Sequence, residues 1–135
     1  MRKAGREGSK LEKFLKRGLT DCGYSVIFHK KGLIPNERLE IDIFISNLKT
    51  AIEIDGPSHF YPIWGEEKLQ KQTKSDAHKT GLLLNAGFVV IRVKNTSKSV
   101  SNKNQRDLLS VVIKELEKIE KSFPTQSKRF IEVEV

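Results

Sequence analysis

A single cysteine, Cys22, stands in a chain of 135 residues. One thiol makes no internal disulfide and no Cys-rich zinc site, so it reads as a half-buried structural residue. No apolar run approaches the roughly 20 residues that cross a bilayer, and no membrane partner is expected. The basic start, Met1 to Arg6, is not followed by the apolar stretch of a secretory signal, which predicts a cytoplasmic or nucleoid-associated protein rather than a secreted one. Repeats and long low-complexity linkers are missing too. What is left is an ordinary globular composition, 37% hydrophobic and 31% charged, in a length that suits one domain with a core of its own. That domain is expected over 1–135, with its core at about 9–121 and 122–135 as a C-terminal tail or short strand.

Acids are the charge in short supply. Lys and Arg number 25 against 17 Asp and Glu, a net +8, and residues 1–35 alone hold nine basic residues against three acids, a local +6. Neutralising phosphates with Lys and Arg releases counterions and gives affinity without sequence preference, so this end reads as facing a polyanion. A solvated basic surface with no nucleic-acid partner explains the same charge, and charge alone leaves both readings open.

Hydrophobic spacing places a helix over 9–21, with Leu11, Phe14, Leu15 and Leu19 on one face, Ser9 as N-cap and Gly23 at its end. A β-prone stretch follows over 24–29, then a loop over 30–36. Alternation over 39–45 predicts a strand with Leu39, Ile41, Ile43 and Ile45 on one face and Glu40, Asp42 and Phe44 on the other. After a turn at 47–50, residues 51–55 read as its hairpin partner, with Ile52 and Ile54 opposite Ala51, Glu53 and Asp55. Gly56-Pro57 breaks this strand, and an aromatic-rich loop with Phe60, Tyr61 and Trp64 runs to Gly65. A helix over 67–86 carries Leu69, Thr73, Asp76, Thr80 and Leu83 along one side and ends at Gly87, so Asp76 is expected to point inward. Residues 88–93 have the apolar run of a strand covered on both faces. A polar loop, a helix over 105–121 striped by Leu109, Val112, Ile113, Leu116 and Ile119, and an alternating segment over 130–135 complete the chain. The order α-β-β-β-α-β-α predicts an α/β fold, a mixed central sheet flanked by helices.

Five polar residues fall where these elements would bring them together: Glu12, Asp42, Asp55, His59 and Asp76. Acids on one face of neighbouring strands come within several ångströms, and their mutual repulsion suggests a cation. Magnesium takes oxygen ligands, usually one or two carboxylates with waters and substrate phosphate, and it meets the charge that builds during phosphodiester hydrolysis. An Asp beside the His59 imidazole would fix its tautomer and raise its basicity for proton transfer. Plain alternatives stand beside each assignment. The acids of the hairpin are also the wet half of an alternating strand, His59 is also a surface-loop residue, and Asp76 also suits a hydrogen bond to Thr73, Thr80 or backbone. Ser9-Lys-Leu-Glu12 also fits a capping box, with Glu12 bonded back to the Ser9 amide. Lys79, nearly one turn beyond Asp76, reads either as its ion-pair partner or as a phosphate contact. Trp64, Phe60 and Tyr61 suit stacking on bases or core packing.

The order of these residues resembles the very-short-patch-repair branch of the PD-(D/E)XK nuclease superfamily, in particular the EDxHD homing endonucleases that share its fold. The resemblance covers roughly 9–95. Glu12 in Leu-Glu-Lys-Phe-Leu matches the first-helix acid, Asp42 in Glu-Ile-Asp-Ile-Phe the metal-binding strand aspartate, and His59 and Asp76 the later histidine and helix aspartate. The specificity lies in the order of all four. The resemblance implies a restriction-endonuclease-like core that cuts DNA with Mg²⁺ or Mn²⁺. Asp42 and a main-chain carbonyl near Ile54 would bind the metal, with Asp55 as a further ligand. Glu12 and Asp42 would organise the metal and its water, His59 would act as general acid or base, and Asp76 would orient His59.

Departures are clear. The superfamily's Glu-x-Lys appears here as Glu53-Ile54-Asp55, with no strand lysine to orient water. In the repair enzymes a histidine stands near the Asp55 position, and their structural zinc ligands are missing. Residues 53–60, Glu-Ile-Asp-Gly-Pro-Ser-His-Phe, also resemble the core of the RAP domain, an RNA-associated module related to the same superfamily, which implies RNA binding without cleavage. That module is commonly the tail of a long helical-repeat protein. Here there are no repeats and a first helix bears Glu12, so the nuclease resemblance ranks first.

Double-stranded DNA is the expected partner, held by Lys10, Lys13, Lys30, Lys31, Lys79, Arg92, Lys94, Lys98, Lys103 and Arg106. Such contacts supply affinity rather than sequence choice. A homing enzyme needs a long recognition site and this chain offers little surface for one, so a homodimer or an additional DNA-binding domain is implied.

Overall fold

Leu11, Leu15 and Leu19 recur at helical spacing and are all buried, so the first helix, α1 (Lys10–Asp21), has a face to bury before it has a partner. The computed structural model describes residues 10–56, 61–95 and 100–135. After α1 come β1 (Val26–Lys31), β2 (Glu40–Ile45), β3 (Thr50–Asp55), α2 (Glu66–Asn85), β4 (Val89–Lys94), α3 (Asn102–Lys121) and β5 (Phe130–Glu134). The strands form one mixed sheet in the order β1-β2-β3-β4-β5. The β1–β2 and β2–β3 pairings are antiparallel, and the β3–β4 and β4–β5 pairings are parallel. The α/β class and the mixed sheet flanked by helices are therefore as the pattern implies. The 130–135 segment is a full member of the sheet, paired from Phe130 to Glu134 along β4.

Helices cover both faces. On one, α1 and α3 pack Leu11, Leu15, Leu19, Leu108, Val112, Leu116 and Ile119 against Ile43, Ile45, Ile52, Ile54, Val89, Ile91 and Val93. On the other, Leu83 of α2 meets Phe44, Ala51 and Val90. β4 contributes to both clusters, as a doubly covered strand should. Burying these aliphatic side chains, at about 2 kcal/mol each, supplies the main drive for this layering. Gly23 and Gly87 end α1 and α2 at φ of 95° and 94°, where a Cβ would be strained.

Three differences from the sequence pattern have physical causes. Helix α3 begins at Asn102 because the Ser101 side chain accepts a hydrogen bond from the Asn104 amide at 3.1 Å, so the polar run after Val100 is a helix cap rather than loop. Cys22 is exposed, since it follows the last turn of α1 instead of lying on its buried face. Ile41 packs with Phe44 on the α2 side while Ile43 and Ile45 pack on the other, so the alternation of β2 breaks at Asp42.

Candidate metal centre

That break sits where β2 and β3 part. Their ladder pairs Ile45 with Thr50, Phe44 with Ala51 and Ile43 with Ile52, which sets Asp42 across from Glu53. There side chains replace the backbone ladder. The Asp42 amide donates to Glu53 Oε2 at 2.9 Å, and the Ile54 amide donates to Asp42 Oδ2 at 2.9 Å. Each carboxylate satisfies a backbone donor of the opposite strand, which lets the strands separate without leaving buried N–H groups unpaired. An extended residue directs its N–H and C=O to the same side, so Ile54 presents its carbonyl toward the same opening.

On the other side of β2, Phe28 pairs with Ile43 and Lys30 with Ile41, which sets His29 across from Asp42. His29 has φ of 55°, a left-handed conformation inside a strand. Glu12 reaches the same point from α1. One ligand atom from each of Glu12, His29 and Asp42 lies within 4.8 Å of the others. At bond lengths of about 2.1 Å, cis ligands stand roughly 3 Å apart and trans ligands about 4 Å, so a small inward shift would let all three hold one ion. The donor chemistry fits as well: two carboxylates and an imidazole, with His29 Nε2 buried and making no hydrogen bond among the described residues.

Charge is concentrated here and poorly screened. Burial pushes Asp42 above the usual carboxylate range, against the pull of the Ile54 amide, Lys79 and His29. Burial, then the neighbouring Asp42 carboxylate, pushes Glu53 up to about 7. Lys79 opposes this: its ammonium pairs with Glu53 Oε1 and donates to the Glu40 carbonyl. Two neighbouring acids whose pKa values burial holds up form a site that a divalent cation would neutralise.

A second network lies along β3, β4 and α2. Arg92 Nε bonds Asp55 Oδ2, its Nη2 stands 3.0 Å from Asp76 Oδ2, and its Nη1 donates to Thr80 Oγ1 at 3.3 Å. Gln72 donates to Asp76 Oδ1 at 2.9 Å. Asp76 thus points inward as expected, and it meets Arg92.

The predicted residues therefore divide. Glu12 and Asp42 come together, and Glu12 Oε2 faces His29 at 3.9 Å. Asp55 and Asp76 are held by Arg92. Lys79 pairs with Glu53 rather than with Asp76. His59 and Lys98 lie outside the described residues, as do Ser9 and most of the Asp55-to-Phe60 string behind the RAP resemblance. Among the basic residues, Lys10 and Lys13 line a cleft of about 840 Å³ with Lys16, Arg17 and His29. Lys31 stands 3.6 Å from Glu40, Lys94 3.6 Å from Glu132, and Lys103 3.0 Å from Asp107, while Lys30 is half-buried and Arg106 exposed. Trp64 is 71% exposed, which removes the core-packing reading of that aromatic.

Sequence reasoning missed His29, and it set Glu53 on the acid face without a site role. The usable signal for His29 was the hairpin count: once β1 is paired with β2, position 29 falls opposite position 42. Comparison with known proteins adds no relative, since no family model, no curated protein and no solved structure matches the chain.

Proposed function

We propose that the chain is a metal-dependent endodeoxyribonuclease with a restriction-endonuclease-like core, using Mg²⁺ or Mn²⁺ to hydrolyse phosphodiester bonds. The observation that carries this reading is the convergence of Glu12, His29 and Asp42 within 4.8 Å, beside the Glu53–Lys79 ion pair. A bound divalent ion would supply positive charge for the phosphoryl oxygens and acidify an attacking water. Glu12 and Asp42 give the hard oxygen donors such an ion takes, and the Ile54 carbonyl is directed to the same opening.

Glu53, raised to about 7, is matched to taking a proton from water near neutral pH. Lys79 brings an ammonium to this acid from α2, the charge that Asp55 cannot provide at the third-strand position. The Arg92 network fixes α2 against the sheet and so holds Lys79 in place. His59 keeps its proposed part as general acid or base, as the nuclease resemblance implies. The substrate would lie along the basic cleft, whose wall includes His29, so its phosphates would pass the carboxylates.

Supercoiled plasmid and structured RNA, each incubated with Mg²⁺, Mn²⁺ or chelator, test the reading alongside Asp42→Ala and Glu12→Gln. DNA cleavage that needs metal and is lost in Asp42→Ala is the expected result. Metal-independent RNA retention with no cleavage would contradict it and favour the RAP-like binding module.

A further inference from the structure

A neutral imidazole carries one N–H, and Glu40 decides which nitrogen holds it. His29 Nδ1 lies 2.7 Å from Glu40 Oε2. An ionised carboxylate only accepts, so Nδ1 carries the hydrogen, and in the neutral ring that binds a metal the lone pair is left on Nε2. That atom is buried and makes no hydrogen bond among the described residues. Glu12 Oε2, at 3.9 Å, is beyond hydrogen-bonding range of it. Histidine ligands of metals are commonly held this way, with one ring nitrogen donated to a carboxylate and the other presented to the ion.

We propose that His29 is a metal ligand through Nε2, with Glu40 as its positioning residue, and that this nitrogen makes the site prefer a first-row transition ion over Mg²⁺. The inference rests on the metal-dependent reading above and adds a ligand and a selectivity to it. Mg²⁺ takes oxygen donors and keeps its waters, whereas imidazole suits the later transition ions, with Mn²⁺ standing between the two. A site of two carboxylates and one imidazole falls between these classes. Mn²⁺ is the weakest binder of the transition series, so a preference for it over Mg²⁺ is a demanding test.

The full chain is titrated with Mn²⁺ and with Mg²⁺, and the bound Mn²⁺ is studied by electron-spin-echo modulation, which reports a directly coordinated ¹⁴N. Wild type is expected to bind Mn²⁺ at least about tenfold tighter than Mg²⁺, with a nitrogen modulation that changes when histidine is labelled with ¹⁵N. His29→Ala and His29→Gln should lose the modulation and most of that preference. Glu40→Gln should keep the modulation and weaken Mn²⁺ by roughly 10- to 100-fold. The labelled wild-type protein gives a direct reading even if a variant fails to fold.

Mn²⁺ bound in an Asp42-dependent site without nitrogen modulation would overturn the role of His29 and leave the carboxylate site standing. Modulation that survives both His29 variants would do the same, since it would come from another histidine. Absence of binding by either ion would overturn this inference together with the reading on which it rests.

Discussion

At the scale of single residues, the site is made of acids kept close together. Glu53 titrates at about 7 in the fold against an ordinary 4.5, so between those values the folded chain holds a proton that the unfolded chain has released. Its contribution to stability is therefore present at the acid end of that window and lost as pH rises through about 7. Asp42 is shifted the same way. Urea unfolding in chelator should show stability falling from about pH 5 to about pH 7.5, and Glu53→Gln should flatten that slope. Equal slopes in the two proteins would contradict the burial of this charge. Lys79→Met should cost about 3 kcal/mol by leaving Glu53 without its cation. The Lys79→Met/Glu53→Gln double variant should lose less than the sum of the singles, because the two groups share one interaction; additive losses would argue against the pair.

At the scale of elements, α1 is the part that delivers Glu12, and its seat depends on a close approach to α3. A Cβ at Gly18 would stand 2.4 Å from Leu109 Cδ2. Gly18→Val should push the helices apart, costing about 2 kcal/mol, and it should weaken metal binding because Glu12 moves with α1. Ser101→Ala removes only the α3 cap, with a loss of about 1 kcal/mol and no change in metal affinity. Calorimetric titration of both variants separates the effects; equal metal binding by Gly18→Val would dissociate Glu12 from the site.

Elements were also the level at which the sequence was most legible. The leucine spacing of α1 reflects burial of one face and the apolar run of β4 burial of both, and these elements, with β3, form within a few residues of their expected places. The site was harder to read because contacts across the sheet create it. His29 gains its role from the β1–β2 register, and Lys79 arrives from α2, which no local periodicity encodes. The parting of β2 and β3 at Asp42 needs two side chains to take over backbone bonds, and an alternating pattern of apolar residues carries no trace of that.

At the scale of the whole molecule, part of the basic excess gathers in one place, with Lys10, Lys13, Lys16 and Arg17 along one cleft. Lys16 also lies over the Phe28 ring, 4.9 Å from its centroid, which ties the cleft wall to β1. No helix among the described residues is long and apolar enough to cross a membrane. DNA affinity should fall steeply with salt, and Lys10→Ala/Lys13→Ala should lower the slope of log affinity against log salt by roughly two. An unchanged slope would place the polyanion on another surface.

If Glu12 and Asp42 meet around a divalent cation, crystals soaked in Mn²⁺ and measured for anomalous scattering should show it. A peak bounded by the Glu12 and Asp42 carboxylates is expected in the wild type, and no such peak in Asp42→Ala. Manganese density only elsewhere on the molecule, with those two carboxylates empty, would contradict it.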